Sequence, residues 1–265
     1  MFAIDARSGI GQEAETKTAE LAEKRFTLFS ERAAAIKLEP KRSEQKLQIR
    51  EQPLQKFSTD GNTFGSVFLW KADDGRPAAI GTIGALPING VDFGFTELHW
   101  LLDEPLTSVV IGKAFPKQWS ATGDELAPKP IPANSQPTSS AAARLTQMRG
   151  IARNFTAIMT ENTNRNELRL LPQPLYRYDD PSAENDGAIF AYVWTLGTDP
   201  ELLIHIQSRE KGGRVKWFYQ PIRFTWRKLD LAYEGTEVWK SEELLSRNDF
   251  LQNGPYITTL TEAIK

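Results

Sequence analysis

The sequence predicts an α+β protein, a tandem duplication of a helix plus antiparallel β-sheet unit with approximate internal two-fold symmetry. Three observations carry that expectation. The phrase LQIREQPLQKF at 47–57 returns as LRLLPQPLYRY at 168–178, with seven of eleven positions identical or conservatively exchanged. Its neighbours return in the same order: Gly65-Ser66-Val67-Phe68 as Gly187-Ala188-Ile189-Phe190, Trp100 as Trp226, Gly112 as Gly235 and Trp119 as Trp239, at offsets between 120 and 126. Upstream of each copy, apolar residues alternate by four and three, the stripe of an amphipathic helix.

In chain order, residues 1–13 read as a loose tail, 14–120 as the first repeat, 121–138 as a proline-rich linker and 139–265 as the second repeat. Each repeat is expected to hold one helix followed by about five strands. The first helix follows Ala22, Phe26, Phe29, Ala33 and Ile36 and stops before Pro40. The second follows Leu145, Met148, Ala152, Phe155 and Met159, with Ser139 or Ser140 as N-cap and an Asn-rich stop at Asn162 to Asn166.

Pro53 and Pro174 lack the N–H a central ladder needs, so the repeated phrase reads as an edge strand or a bulge. Leu47, Ile49 and Phe57 share one parity, as do Leu168, Leu170 and Tyr178, so one face is expected to pack on the helix. GSVFLW and GAIFAYVW are apolar on both parities, which requires cover on both faces. Asp73-Asp74-Gly75 and Gly197-Thr198-Asp199 read as turns. In RVKWFYQPIRFTWRKLDL, Pro221 is expected to break or bulge the strand, and Ile222, Phe224 and Trp226 to face inward from an amphipathic continuation. Pro128, Pro130, Pro132 and Pro137 exclude a central strand from the linker.

Composition excludes several classes of function. A formal charge of −2 supplies no field for a polyanion, so nucleic acid is disfavoured as a partner. The absence of cysteine rules out disulfides, thiolate catalysis and cysteine-held zinc. His99 and His205 are the only histidines and have no ligand-motif spacing, so no metal and no cofactor is expected. Calcium on the acidic loops Asp179-Asp180 or Glu184-Asn185-Asp186 competes with their reading as solvated turns. No run approaches the ~18 apolar residues of a membrane span. The start has neither basic flank nor long apolar stretch, so it does not read as a signal peptide, and a soluble chain of unassigned compartment is expected. Glycine-rich phosphate loops and nucleophile elbows are missing, and Gly150 inside the second helix costs stability unless close packing requires it.

The candidate chemistry is sparse. In ELHWLLDE, Glu97 and His99 would share one strand face, where a carboxylate can orient an imidazole for proton transfer, with Asp103 close by. His205 reads as a bonded histidine in a half-buried strand. Trp194 and Trp217 have no partner in the other copy and, with Tyr219 and Arg223, form the candidate ligand-binding set, since aromatic walls stack sugars and peptides. The phrases LTQMRGIARNF, ELRLLPQPLYRY, DGAIFAYVWTLGTDPELLIHIQSR and GSVFLWKADDGRPAAIGTIG resemble a group of bacterial proteins common in planctomycetes, over roughly residues 20 to 242. The resemblance implies no activity; such proteins often begin with an export signal, which this start lacks. The expected function is a non-enzymatic binding or interaction protein for a small molecule, sugar or protein, with a groove between the two repeats. The alternative is a hydrolase using Glu97, His99 and Asp103.

Overall fold

A computed structural model describes residues 7–59, 63–122, 124–132, 136–179, 184–195, 197–244, 246 and 253–264, with side chains of the first helix from Glu20 onward. Helix α1 (Arg7–Ala35) is followed by β1 (Gln48–Ile49), β2 (Gln55–Ser58), β3 (Phe64–Lys71), β4 (Pro77–Ile88) and β5 (Val91–Trp100). A hairpin of β6 (Val109–Ile111) and β7 (Lys117–Trp119), a 3-10 turn at Asp124–Leu126 and β8 (Lys129–Pro130) lead to α2 (Ala141–Arg153). Then come β9 (Phe155–Glu161), β10 (Asn164–Glu167), β11 (Arg169–Leu170), β12 (Tyr176–Tyr178), β13 (Gly187–Val193), β14 (Pro200–Glu210) and β15 (Val215–Arg223). The chain closes with β16 (Lys228–Tyr233), β17 (Thr236–Ser241) and β18 (Tyr256–Ala263).

Two six-stranded antiparallel sheets dominate this α+β fold. One runs β1-β3-β4-β5-β18 with β2 also on β3; the other runs β11-β13-β14-β15-β8 with β12 also on β13. Each therefore ends on a strand supplied by the other half of the chain. A smaller sheet, β10-β9-β16-β17, packs Phe155, Ala157, Met159, Leu229 and Leu231 into the core under α2.

Three apolar clusters place the layers. Phe29 and Ala33 of α1 meet Phe68, Trp70 and Ile83 on one face of the first sheet. Met148, Ile151 and Ala152 of α2 meet Phe190, Tyr192 and Ile204 on one face of the second. Between the sheets, Val67, Leu69, Ile80 and Leu101 meet Ile189, Ala191, Leu203, Ile222 and Phe224. The order of layers is helix, sheet, sheet, helix, which accounts for β3 and β13 being apolar on both parities.

The repeated phrase forms edge strands broken at the proline. Register sums show what the break does: β1 pairs Ile49 with Trp70, whereas β2 pairs Phe57 with Gly65, a slip of three residues. An odd slip exchanges faces. Leu47 and Ile49 accordingly pack on the helix side, as expected, but Phe57 turns into the layer between the sheets, contrary to the parity reading. Leu170 and Tyr178 divide in the same way, and a Cβ on Gly65 or Gly187 would overlap the Phe57 or Tyr178 ring.

Several bonds recur in both halves. Arg50 N–H donates to Leu69 O and Leu171 N–H to Ala191 O; Leu54 donates to Val67 and Leu175 to Ile189; Leu101 donates to Ala78 and Phe224 to Glu201. Trp70 Nε1 donates to Ile36 O and Tyr192 OH to Ala152 O, so each sheet ties down the end of its helix. Gly112 and Gly235 take φ of 83° and 80° at their hairpin turns.

Four expectations need correction. Helix α1 begins inside the segment read as a tail. Helix α2, capped by Ser140 as expected, ends at Arg153, and Phe155 and Met159 lie on β9, because from Phe155 burial alternates with period two. Strand β15 crosses Pro221 without a register shift, since beyond Tyr219 that edge has no β8 partner needing an N–H. The proline-rich segment is an anchor as well as a linker, with Leu126 in the first core and Ile131 in the second.

Asp186 is fully buried and paired with both Arg144 and Arg177, while Arg144 also donates to the carbonyls of Thr138 and Ser139 ahead of α2. Asp186→Asn leaves the enclosed Arg144 guanidinium short of its counter-charge and should cost about 3–5 kcal/mol in urea denaturation. Gly65→Ala and Gly187→Ala should each cost about 1–3 kcal/mol by overpacking. Gly150→Ala, at an exposed helical site with nothing within 4 Å of the added methyl, should stabilise by about 0.5–1 kcal/mol in the same assay.

Candidate functional site

Glu97, His99 and His205 fall on the inner faces of the two large sheets. The ladder β4-β5-β18 sets Thr82, Glu97 and Thr258 in one row and Ile80, His99 and Tyr256 in the next. Glu97 and His99 do share a face, as read from sequence, and both are buried. Tyr256 OH donates to Glu97 Oε1 at 2.7 Å, and the Arg223 backbone N–H donates to His99 Nδ1 at 3.2 Å. An amide N–H only donates, so Nδ1 carries the lone pair and the proton of the neutral ring sits on Nε2. Burial, with a smaller contribution from the Arg223 charge, pushes the His99 pKa down to about 3.

Asp103 is not part of that set. It lies beyond β5, more than half exposed, and accepts from Arg209 Nη1 at 2.7 Å. Burial works to raise its pKa but is outweighed by the hydrogen bond and charge of Arg209, which hold the carboxyl below its usual value. From Arg209 a chain of bonds runs inward. Arg209 Nε donates to Gln207 Oε1 (2.8 Å), Gln207 Nε2 meets His205 Nδ1 (3.2 Å), and His205 Nε2 meets Tyr178 OH (2.9 Å). Arginine can only donate, so the direction of the whole chain is settled and His205 carries its proton on Nε2. Burial and the Arg209 charge push His205 down to about 3, and burial pushes the Tyr178 hydroxyl up.

The candidate ligand residues separate. Trp217 and Tyr219 lie in the core under α2, where Tyr219 packs on Phe155 at 5.2 Å between ring centroids, so neither lines a groove. Trp194, at the end of β13, is half-buried. Arg223 is 7% exposed, and its side chain clasps a turn: Nε donates to Thr225 O at 2.6 Å, and Nη2 to Trp226 O at 2.6 Å and Arg227 O at 3.1 Å. Trp226 and Arg227 on this turn are both partly buried, and Trp226 does not join Ile222 and Phe224 in the layer between the sheets. Arg227 Cζ lies 5.7 Å from the Trp194 ring and 5.6 Å from that of Trp226, and its Nη2 pairs with Glu161 of β9. Glu161 and Tyr256 escaped the sequence reading, because bonds across 66 and 159 residues leave no local pattern.

The space expected to be a groove between the repeats is filled by the apolar layer between the sheets. A depression of about 470 Å³ lies instead at the end of α1, lined by Ile36, Leu38, Leu47, Ile49 and Trp70, but Trp70 is 2% exposed and its N–H is taken by Ile36 O. Among the described residues no three His, Asp or Glu side chains gather as a metal site. Asp186, offered as a calcium ligand, is occupied by two guanidinium groups; Asp180 lies outside the described residues. No helix among the described residues is long and apolar enough to cross a membrane. Neither a family model nor a curated protein nor a solved structure matches the chain.

Both histidines have folded pKa values depressed below 6.5, so the unfolded chain binds protons that the folded one refuses. Their contribution is complete above pH 6.5 and is lost as pH falls toward 3, at about 1.4 kcal/mol per pH unit for each. His99→Gln and His205→Gln should each flatten the dependence of urea stability on pH between 6 and 4 by that amount; slopes equal to wild type would refute the burial of neutral imidazoles.

Proposed function

We propose that this chain is a non-enzymatic binding protein built by tandem duplication of a helix plus antiparallel sheet, and that its ligand rests on Trp194, Trp226 and Arg227. The duplication is supported by bonds that recur at offsets of 121 to 123, Leu54 to Val67 against Leu175 to Ile189 among them, and by the ring-over-glycine pairs Phe57/Gly65 and Tyr178/Gly187. The cross-contacts are reciprocal too: Tyr176 OH donates to Gly75 O, and Gln55 Nε2, at the matching position of the first half, donates to Thr198 O.

The binding assignment rests on one observation, the clasp of Arg223 on residues 225–227, which commits a buried guanidinium to fixing the turn that carries Trp226 and Arg227, both partly buried. Preorganised, partly exposed aromatics of this kind lose little entropy on binding. The platform also departs from the repeat: Trp194 matches Ala72 in register, and Trp226 matches Asp103 and not Trp100, the twin that sequence spacing suggested, which matches Arg223 instead. Against hydrolysis, Glu97 and His99 face the apolar layer, each engaged by a protein group.

A library of small metabolites, sugars and peptides should contain compounds that raise the melting temperature by several degrees at 100-fold excess over Kd. The shift should vanish in Trp194→Ala and Trp226→Ala and persist in Glu97→Gln and His99→Gln. Turnover of any hydrolase substrate that Glu97→Gln abolishes would overturn the assignment.

A further inference from the structure

We infer that Asn89 is a site of spontaneous covalent modification, and that the fold directs this chemistry to Asn89 while sparing the chain's other Asn-Gly pair, Asn253-Gly254. The Gly90 backbone nitrogen attacks Asn89 Cγ: the N–Cγ bond forms, the Cγ–Nδ2 bond breaks, and Nδ2 leaves as ammonia with the proton that the Gly90 amide gives up. Water then opens the cyclic imide. Attack at Cγ yields aspartate, and attack at the main-chain carbonyl yields isoaspartate, in which the backbone runs through Cβ and Cγ. Glycine leaves the attacking nitrogen unshielded, so both pairs have the chemistry. Ring closure requires the peptide plane between the two residues to swing until the nitrogen meets Cγ, and the fold decides how firmly that plane is held.

Asn89 and Gly90 form the two-residue loop between Ile88 of β4 and Val91 of β5, with φ of 50° and 79°, the signature of a type I′ turn. Both are exposed, and a methyl built on Gly90 would have nothing within 4 Å. Among the described residues no hydrogen bond outside the β4–β5 ladder reaches this loop, so its tip opens at little cost. Asn253 is exposed as well, but its peptide is tethered. Thr122 N–H donates to Asn253 O at 2.9 Å, Trp119 Nε1 to Gly254 O at 2.9 Å, and Ser120 Oγ to Asn253 Oδ1 at 3.1 Å. The Trp119 anchor is fully buried in the first core, so that plane cannot swing unless core contacts give way. Either product at Asn89 alters the end of the first sheet. Aspartate places a second carboxylate close in sequence to Asp92, whose ion pair with Arg25 ties β5 to α1. Isoaspartate lengthens the main chain within a two-residue turn that joins paired strands.

The test incubates the full, folded chain in mildly alkaline buffer, maps its peptides by mass spectrometry for the conversion of amide to acid, and labels isoaspartate with protein isoaspartate methyltransferase. Asn89 should convert faster than Asn253 by about tenfold or more, because each tether adds to the free energy of opening. In urea the two rates should draw together, since the difference belongs to the fold. Asn89→Gly, which a type I′ turn accepts, should take most of the methyltransferase label of the folded protein with it. Asn253 converting as fast as Asn89 in the folded chain, a rate gap undiminished in urea, or a label largely unchanged in Asn89→Gly would each overturn the inference. So would a folded chain in which neither residue converts while both convert in urea.

Discussion

Val67, Leu69 and Ile80 of one sheet meet Ile189, Ala191 and Leu203 of the other, while α1 and α2 cover the opposite faces. A strand buried on both sides has no solvent for a polar group to retreat to, so every ionisable or hydrogen-bonding side chain on it must be neutral or satisfied from within. The two histidines show the neutral solution, and Asp186 between two arginines shows the paired one.

The same layer makes the two halves interdependent. Strand β8 leaves the first half to pair with β15, and β18 leaves the second to pair with β5. The apolar layer is ringed by bonds that cross it, from Gln220 Nε2 to Leu101 O, from the Arg223 N–H to His99 Nδ1 and from Arg209 to Asp103. Neither sheet would keep its outer strand, nor its inner face its cover, without the other half. Long-range pairing of this kind is costly to form and strongly cooperative once formed.

Features that depend on local chemistry were legible in the sequence. The Phe26, Phe29, Ala33 stripe, the Ser140 cap, the edge position of the proline-bearing phrase and the double burial of β3 and β13 follow from periodicity and from what proline and serine do to a backbone. Features that depend on register were not. Phe57 turns to the opposite face because the break at Pro53 slips the pairing by three, and nothing in eleven residues announces an odd slip over an even one. Phe155 and Met159 fit a helical stripe as well as a strand, since positions four apart share a face in both geometries. Trp217 has no counterpart in the first half, yet it and Tyr219 fill a core that the first half fills with other side chains.

Arg223 joins the inner layer to the outer surface. Burial lowers its pKa, and the charges of Tyr256 and Glu97 work in the opposite direction. Glu97, bonded to Tyr256 and set one ladder row from His99, thus lies where a counter-charge to that guanidinium is needed. The guanidinium in turn, with its ring-facing carbon 5.2 Å from the Tyr256 ring, spends its donors on the carbonyls of residues 225 to 227. The sequence drew attention to Glu97 as a possible acid or base; in the folded chain its carboxylate supports an arginine that shapes the turn beneath Trp226 and Arg227.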